Sequence, residues 1–232
     1  MKPLIGIVPT AKLFETDDFY QDCYTFVNNY SLRIAENGGV PMGLLGIDGF
    51  ASQDALERCD GILICGGGKI HPYHFQTVQY AIERQIPLLG ICLGMQAIHA
   101  YFTVAEEAQR RNYAGPLLDL YETMKKERHM FVLPAAHHWD VPMVRGHVDA
   151  SKHPVDIAPG TLLHRLLEKD QTQGATMHRY GVNDPAKALT VSARAKDGTI
   201  EALEYGEHIL GIQFHPEVDR EHDALFRFLC KS

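Results

Sequence analysis

A chain of 232 residues that is 45% hydrophobic and 22% charged has the composition of an ordinary globular protein, large enough to bury a full core without covalent staples. Its formal net charge of −7, with no long basic run, argues against a nucleic-acid partner, because phosphate binding needs clustered Lys and Arg. No apolar run reaches the ~18 residues of a membrane span, Met1–Pro9 reads as a strand rather than a secretory signal, and the five cysteines, Cys23, Cys59, Cys65, Cys92 and Cys230, contain no Cys-x-x-Cys pair. A cytoplasmic protein with free thiols is expected.

Leu4 to Val8 is a short β-branched run bounded by prolines, as in a buried parallel strand. Phe19 to Asn37 carries Phe19, Cys23, Phe26, Val27, Tyr30 and Ile34 at helical spacing, and Gly38-Gly39 supplies the stop. A strand over 40–45 and a short helix over 52–58, with Ser52 as N-cap, come next. Gly61 to Cys65 is a third strand ending in Gly66-Gly67-Gly68, followed by a helix over 75–85. The strand over 86–91 then runs directly into a helix over 93–101. Two further helices are predicted over 104–111 and 117–128, and Phe131 to Arg145 reads as a loop-rich insertion holding His137, His138 and Trp139. Asp156 to Gly160 suggests a strand end and turn, and Thr161 to Leu167 a helix. Alternating residues on either side of Lys196-Asp197-Gly198 mark a hairpin over 189–205. A strand over 209–214 and a helix over 221–230 finish the chain. Alternating strands and helices imply one α/β domain over 1–232, built on a mostly parallel central sheet flanked by helices, with a C-terminal β-hairpin region. Ligands bind at the carboxyl ends of the strands in such sheets, where Gly66–Gly68 and Cys92 fall.

Gly90-Ile91-Cys92-Leu93-Gly94 places a cysteine between strand and helix in the pattern of a nucleophile elbow. The turn presents the thiol at a helix N-terminus, which favours thiolate, and aims the Leu93 N–H at a developing oxyanion. The Gly66–Gly68 turn offers unobstructed N–H groups for a second donor. The strand ending in Phe214-His215-Pro216-Glu217 supplies a base and a carboxylate two residues apart, so Cys92, His215 and Glu217 form a candidate triad. The other cysteines read as small hydrophobes. His71 with His74, and the pair His137-His138, lack any accompanying ligand pattern, so neither metal nor cofactor is expected.

Gly-Ile-Cys-Leu-Gly-Met-Gln at 90–96, Cys-Gly-Gly-Gly at 65–68 and Phe-His-Pro-Glu at 214–217 together resemble the class I glutamine amidotransferase superfamily. Within it the chain is most similar to the free-standing γ-glutamyl-γ-aminobutyrate hydrolase group, peptidase family C26. That likeness rests on Pro3–Ile7, Asn37–Pro41, His153-Pro154-Val155, Pro159–Leu163 and Val191–Ala202. The resemblance implies a flavodoxin-like sheet and cleavage of a γ-glutamyl amide through a Cys92 thioester. It assigns Gly67 and Leu93 to the oxyanion hole and Gln96 to the glutamyl head, with the backbone of Thr176-Met177-His178 binding the α-amino and α-carboxyl groups. The chain departs from the hydrolase group at Leu93, where that group has Arg, at Ala100–Val104, and at Arg179-Tyr180. The leaving-group pocket is therefore expected around His137, His138, Trp139, Arg179 and Tyr180, with Trp139 alternatively a core anchor. The expected partner is a small-molecule γ-glutamyl amide, with homodimerisation open. The alternative is a glutaminase subunit that passes ammonia to a separately encoded synthase.

Overall fold

The computed structural model describes residues 1–13, 17–47 and 49–230, with the side chains of Phe19 and Ile47 outside that description. Nine strands form one sheet: β1 Leu4–Val8, β2 Val40–Gly43, β3 Gly61–Ile64, β4 Leu88–Ile91, β5 Lys152–Ile157, β6 Gln171–Ala175, β7 Thr190–Ala195, β8 Ile200–Tyr205 and β9 Ile209–Ile212. Their order is β6-β5-β7-β8-β9-β4-β3-β1-β2. The five strands from β9 to β2 are parallel, in the flavodoxin-like order, and the four from β6 to β8 extend them antiparallel.

The helices are α1 Asn28–Glu36, α2 Gln53–Leu56, α3 Pro72–Arg84, α4 Leu93–Arg110, α5 Leu117–Lys126, α6 Leu162–Leu167 and α7 Asp223–Leu229. Strand side chains alternate between faces, so both faces of the central strands are apolar and both are covered. Ile5, Ile7, Leu63, Leu89, Leu210 and Ile212 pack with Tyr30 and Ile34 of α1 and with α6 and α7. Ile62, Ile64, Leu88 and Ile209 pack with Val78 of α3 and Met95 and Ile98 of α4. A third cluster, including Phe75, Val104, Leu120, Met124 and Phe131, seats α5 on α3 and α4. Among the described residues no helix is long and apolar enough to cross a membrane.

Four local readings change. The helix predicted from Phe19 begins only at Asn28, because Cys23–Thr25 pairs antiparallel with Thr10–Lys12 and exposure alternates from Cys23 to Val27. Ser52 precedes α2, but its side chain makes no capping bond. The helices predicted over 93–101 and 104–111 are one, since Phe102 and Val104 are both buried and nothing interrupts the backbone ladder. Lys152–Ile157 and Gln171–Ala175 are strands that pattern alone conceals. Pro154 interrupts the first, yet lies just outside the 155–157 register with β7, and the second has almost no apolar residues.

Two histidines are folded into apolar surroundings. His74 is fully buried, and burial, reinforced by His71, lowers its pKa to about 3. Burial likewise lowers His99 to about 4, against a smaller opposing pull from the Phe131 backbone. The unfolded chain takes up these protons near the ordinary value of 6.5, and the folded chain does not until well below it. The unfolded state therefore binds more protons in this window, and stability falls as pH drops from about 6.5 towards 4. Replacing His99 with Gln is expected to flatten the fall by as much as about 1.4 kcal/mol per pH unit. Urea unfolding between pH 7 and 4 measures it, and an unchanged slope would contradict the assignment.

Candidate active site

β4 leads directly into α4, and Cys92 is the hinge between them. Its N–H donates to the Ile212 carbonyl at 2.7 Å, and its own carbonyl accepts from Gln96 N–H at 3.2 Å. Its backbone sits at φ 52°, ψ −103°, a region L-residues rarely adopt and which costs about 1–3 kcal/mol. Two glycines make that turn possible. A Cβ on Gly94 would stand 2.4 Å from the Ile64 carbonyl oxygen, and one on Gly90 would stand 2.6 Å from the Gly94 carbonyl group. Neither obstacle is a flexible side chain, so the first turn of α4 can rest on the end of β3 only without those carbons.

β9 lies beside β4 in register, Gly211 against Gly90 and Ile212 against Ile91. Its continuation carries His215 to the same end of the sheet, where the His215 N–H donates to the Ala175 carbonyl at 2.8 Å. The end of β3 closes the group. A Cβ placed on Gly66 would meet His215 Cε1 at 3.2 Å, the Tyr30 hydroxyl at 3.2 Å and Cys92 Cβ at 3.5 Å. Imidazole and cysteine thus border one small space that a glycine leaves open. His215 Nδ1–H donates to Glu217 Oε1 at 2.7 Å, both residues being buried. His215 Nε2 is turned to the Cys92 side and makes no well-formed hydrogen bond to a described residue.

Burial pulls the His215 pKa down, but the Glu217 carboxylate and Cys92 outweigh it, and the imidazole is held well above 6.5. The shift favours the imidazolium form of the ring. Cys65, one residue before Gly66, has the opposite character: burial and then the charge of Glu217 push its thiol well up. Tyr30 is a neighbour that nothing in the sequence marks beyond its place on a helical face. Its hydroxyl accepts from Gly66 N–H at 3.1 Å, and burial followed by Glu217 keeps the phenol protonated.

Gly67 and Leu93 are adjacent, a Gly67 Cβ being 3.0 Å from Leu93 Cδ2. The Leu93 N–H belongs to the first turn of α4, whose donors have no intrahelical partners. A cavity of about 480 Å³ opens beside them, lined by Gly68, Leu93, Gln96, Lys125, Phe131 and Tyr180 among others. Gln96 Nε2 donates to the Tyr180 carbonyl at 3.1 Å and to Gln213 Oε1 at 3.3 Å.

The residues expected around the leaving group do not converge. Tyr180 lines this cavity, but Trp139, Arg179 and His137 do not. Trp139 is 44% exposed, with the Arg179 guanidinium 4.5 Å over its ring, so it is not a core anchor either. His137 pairs with Asp140 at 2.8 Å on the surface, whereas His138 is buried. The N–H groups of Thr176 and His178 are already given to the carbonyls of Ser151 and His138, both at 3.0 Å, and so cannot bind a carboxylate. Met177, between them, is half-buried.

The two cysteines at strand ends should therefore differ in reactivity. Iodoacetamide at neutral pH is expected to alkylate Cys92 at least tenfold faster than Cys65, which should react only on unfolding. Peptide mass spectrometry over time reads both, and equal rates would contradict the assigned environments.

The family model for Peptidase C26 matches residues 3–81 and 73–217. A glutamine amidotransferase-like protein of Rickettsia prowazekii is 27% identical over 275 aligned positions, which take in 100% of this chain and 98% of that protein. CTP synthase of Methanosphaera stadtmanae is 27% identical over 93% of this chain, which spans only 41% of that protein's length. The glutaminase domain of Trypanosoma brucei CTP synthase, solved with bound acivicin, shares the fold at a TM-score of 0.65 and 18% identity, covering 98% of this chain and 91% of that one. By the extent of the family match and the agreement of its fold, the chain belongs to the Peptidase C26 family of glutamine amidotransferase-like proteins.

Proposed function

We propose that this chain hydrolyses a γ-glutamyl amide through a thioester on Cys92. The observation that carries the reading is the strained cysteine backbone beside a buried His215–Glu217 pair at the carboxyl end of the sheet. The imidazolium stabilises a Cys92 thiolate, whose sulfur attacks the γ-carbonyl carbon. The N–H groups of Gly67 and Leu93 receive the oxyanion. As the tetrahedral adduct collapses, the C–N bond breaks and His215 Nε2 gives its proton to the departing amine. Water then enters, His215 takes a proton from it, and hydroxide attacks the thioester. Glutamate leaves as the C–S bond breaks. Glu217 keeps Nδ1 protonated and balances the positive ring.

The cavity beside Leu93 suits the glutamyl head. Gln96 is held there by Tyr180 and Gln213, and Lys125, whose Nζ is paired with Glu122 at 3.0 Å, lines the same cavity and would have to exchange that partner to meet the α-carboxylate. Since the Thr176 and His178 N–H groups are committed, backbone recognition of the α-ammonium by the 176–180 segment would fall to carbonyl oxygens, of which those of Arg179 and Tyr180 already accept from Ala135 N–H and from Gln96 Nε2.

A second reading, ammonia delivery to a synthase, draws on the CTP synthase relatives, of which the chain spans the glutaminase-sized part. It predicts slow glutamine hydrolysis by the isolated chain and acceleration by a partner. The first reading predicts full activity alone, on γ-glutamyl amines as well as glutamine.

Cys92→Ala is expected to abolish glutamate release with the fold intact. His215→Ala should cost at least about 10³-fold, and Glu217→Gln less, because the imidazole moves protons in both half-reactions while the carboxylate orients it. Single-turnover rates across a panel of γ-glutamyl amides measure all three. Wild-type activity in Cys92→Ala, or a larger loss in Glu217→Gln than in His215→Ala, would overturn the assigned roles.

A further inference from the structure

On the far side of the Thr176–Tyr180 segment, four side chains from four separate parts of the chain point at one another. His138 comes from the insertion, His153 from β5, His178 from the segment itself and Glu201 from β8. One ligand-type atom from each lies within 4.8 Å of all the others. His138 Nδ1 is 3.1 Å from His178 Nε2 and 3.3 Å from Glu201 Oε1. His178 Nε2 and His153 Nε2 stand 3.4 and 3.5 Å from the same carboxylate oxygen.

The outer nitrogens decide what the inner ones carry. His138 Nε2 is 3.0 Å from Asp197 Oδ2, His178 Nδ1 is 3.2 Å from the Tyr180 carbonyl, and His153 Nδ1 is 3.3 Å from the Pro154 carbonyl. These partners only accept, so each outer nitrogen bears the hydrogen. In a neutral imidazole the inner nitrogen is then a bare lone pair. Three lone pairs and a fully buried carboxylate face one centre, and both Glu201 oxygens and His153 Nε2 lack hydrogen-bond partners among the described residues. Such an arrangement is repulsive unless something positive sits inside it.

We infer that this cluster is a site for a tetrahedral divalent transition ion, best matched by Zn²⁺, ligated by His138 Nδ1, His153 Nε2, His178 Nε2 and a Glu201 carboxylate oxygen. A tetrahedral ion with ligand bonds of about 2.0–2.1 Å separates its ligand atoms by about 3.3–3.4 Å. Four of the six separations, 3.1 to 3.5 Å, bracket that edge, and the two between His153 Nε2 and the other imidazoles are within 4.8 Å. Imidazole nitrogen with one carboxylate is a donor set suited to zinc. The outer contacts are those that orient metal-bound histidines, including a carboxylate on His138. Two positive charges balance Glu201 and Asp197. A cavity of about 330 Å³, lined by His138, Lys152, His153 and Asp197, gives an entry path.

The ion would tie the insertion, two strands and the 176–180 segment together about 2 Å from each ligand atom. Because the Tyr180 carbonyl accepts from both His178 Nδ1 and Gln96 Nε2, it would also fix the wall of the cavity lined by Leu93 and Gln96.

The test uses the full chain without an affinity tag. Zinc content is measured after growth in zinc-supplemented medium, and the chelator-stripped protein is then titrated with ZnCl₂ against a competing chelator. One equivalent per chain is expected, with dissociation below micromolar. His153→Asn should weaken binding at least a hundredfold. Asp197→Asn, which alters a half-exposed outer partner and leaves every ligand in place, should weaken it about 10–100-fold. It keeps the test decisive if the first variant fails to fold. Co²⁺ in place of zinc should give the strong visible bands of a tetrahedral centre. Substoichiometric zinc with dissociation weaker than about 100 µM would mean that protons rather than a metal hold the cluster, and tight binding that Asp197→Asn leaves unchanged would place the ion elsewhere; either result overturns the site. Binding is read without turnover, so the result is independent of the proposed hydrolysis.

Discussion

The approach of Gly94 to the Ile64 carbonyl sets the geometry of everything around the thiol. Because no side-chain carbon intervenes, the first turn of α4 lies directly on the end of β3. The chain must then turn within one residue, and Cys92 takes the strained conformation that this demands. The strain is sustained by parallel pairing on both sides of β4 and by the Cys92 N–H bond to Ile212. The thiol is consequently placed at the amino end of an 18-residue helix, beside Gly67, with its backbone orientation fixed before any ligand arrives.

The same sheet brings up the base. Since β9 is the parallel neighbour of β4, three residues beyond its end suffice to bring His215 alongside the elbow. Proline follows at once, and Glu217 folds back onto Nδ1. Burying an ion pair is costly unless both members are satisfied. Here Glu217 Oε2 has no hydrogen-bond partner among the described residues, so this buried charge finds its compensation in the imidazolium. Tyr30 and Cys65, kept protonated by their burial, surround the pair without competing for its charge.

What the sequence disclosed follows the range of the forces involved. The elbow, the glycine turn and His-Pro-Glu are local patterns, and each stands at the end of an apolar strand, so residue order alone located them. The parallel half of the sheet was equally legible from its short β-branched runs. The antiparallel extension was not: Gln171–Ala175 is held by ladder bonds to β5 rather than by any hydrophobic pattern of its own. Cys23–Thr25 looked helical because its partner strand lies more than ten residues away. The His138, His153, His178 and Glu201 cluster had no motif to find, since its members are brought together only by the fold. Trp139 stood out as the sole tryptophan, yet its ring faces solvent and Arg179 rather than the cavity.

A covalent adduct on Cys92 is the most direct expression of this geometry. Acid-quenching the Glu217→Gln variant during turnover of a γ-glutamyl amide, followed by peptide mass spectrometry, would trap it. The account predicts a γ-glutamyl group on the peptide containing Cys92 and on no other cysteine. Continued release of glutamate with no adduct at Cys92, or with the adduct on another residue, would contradict it.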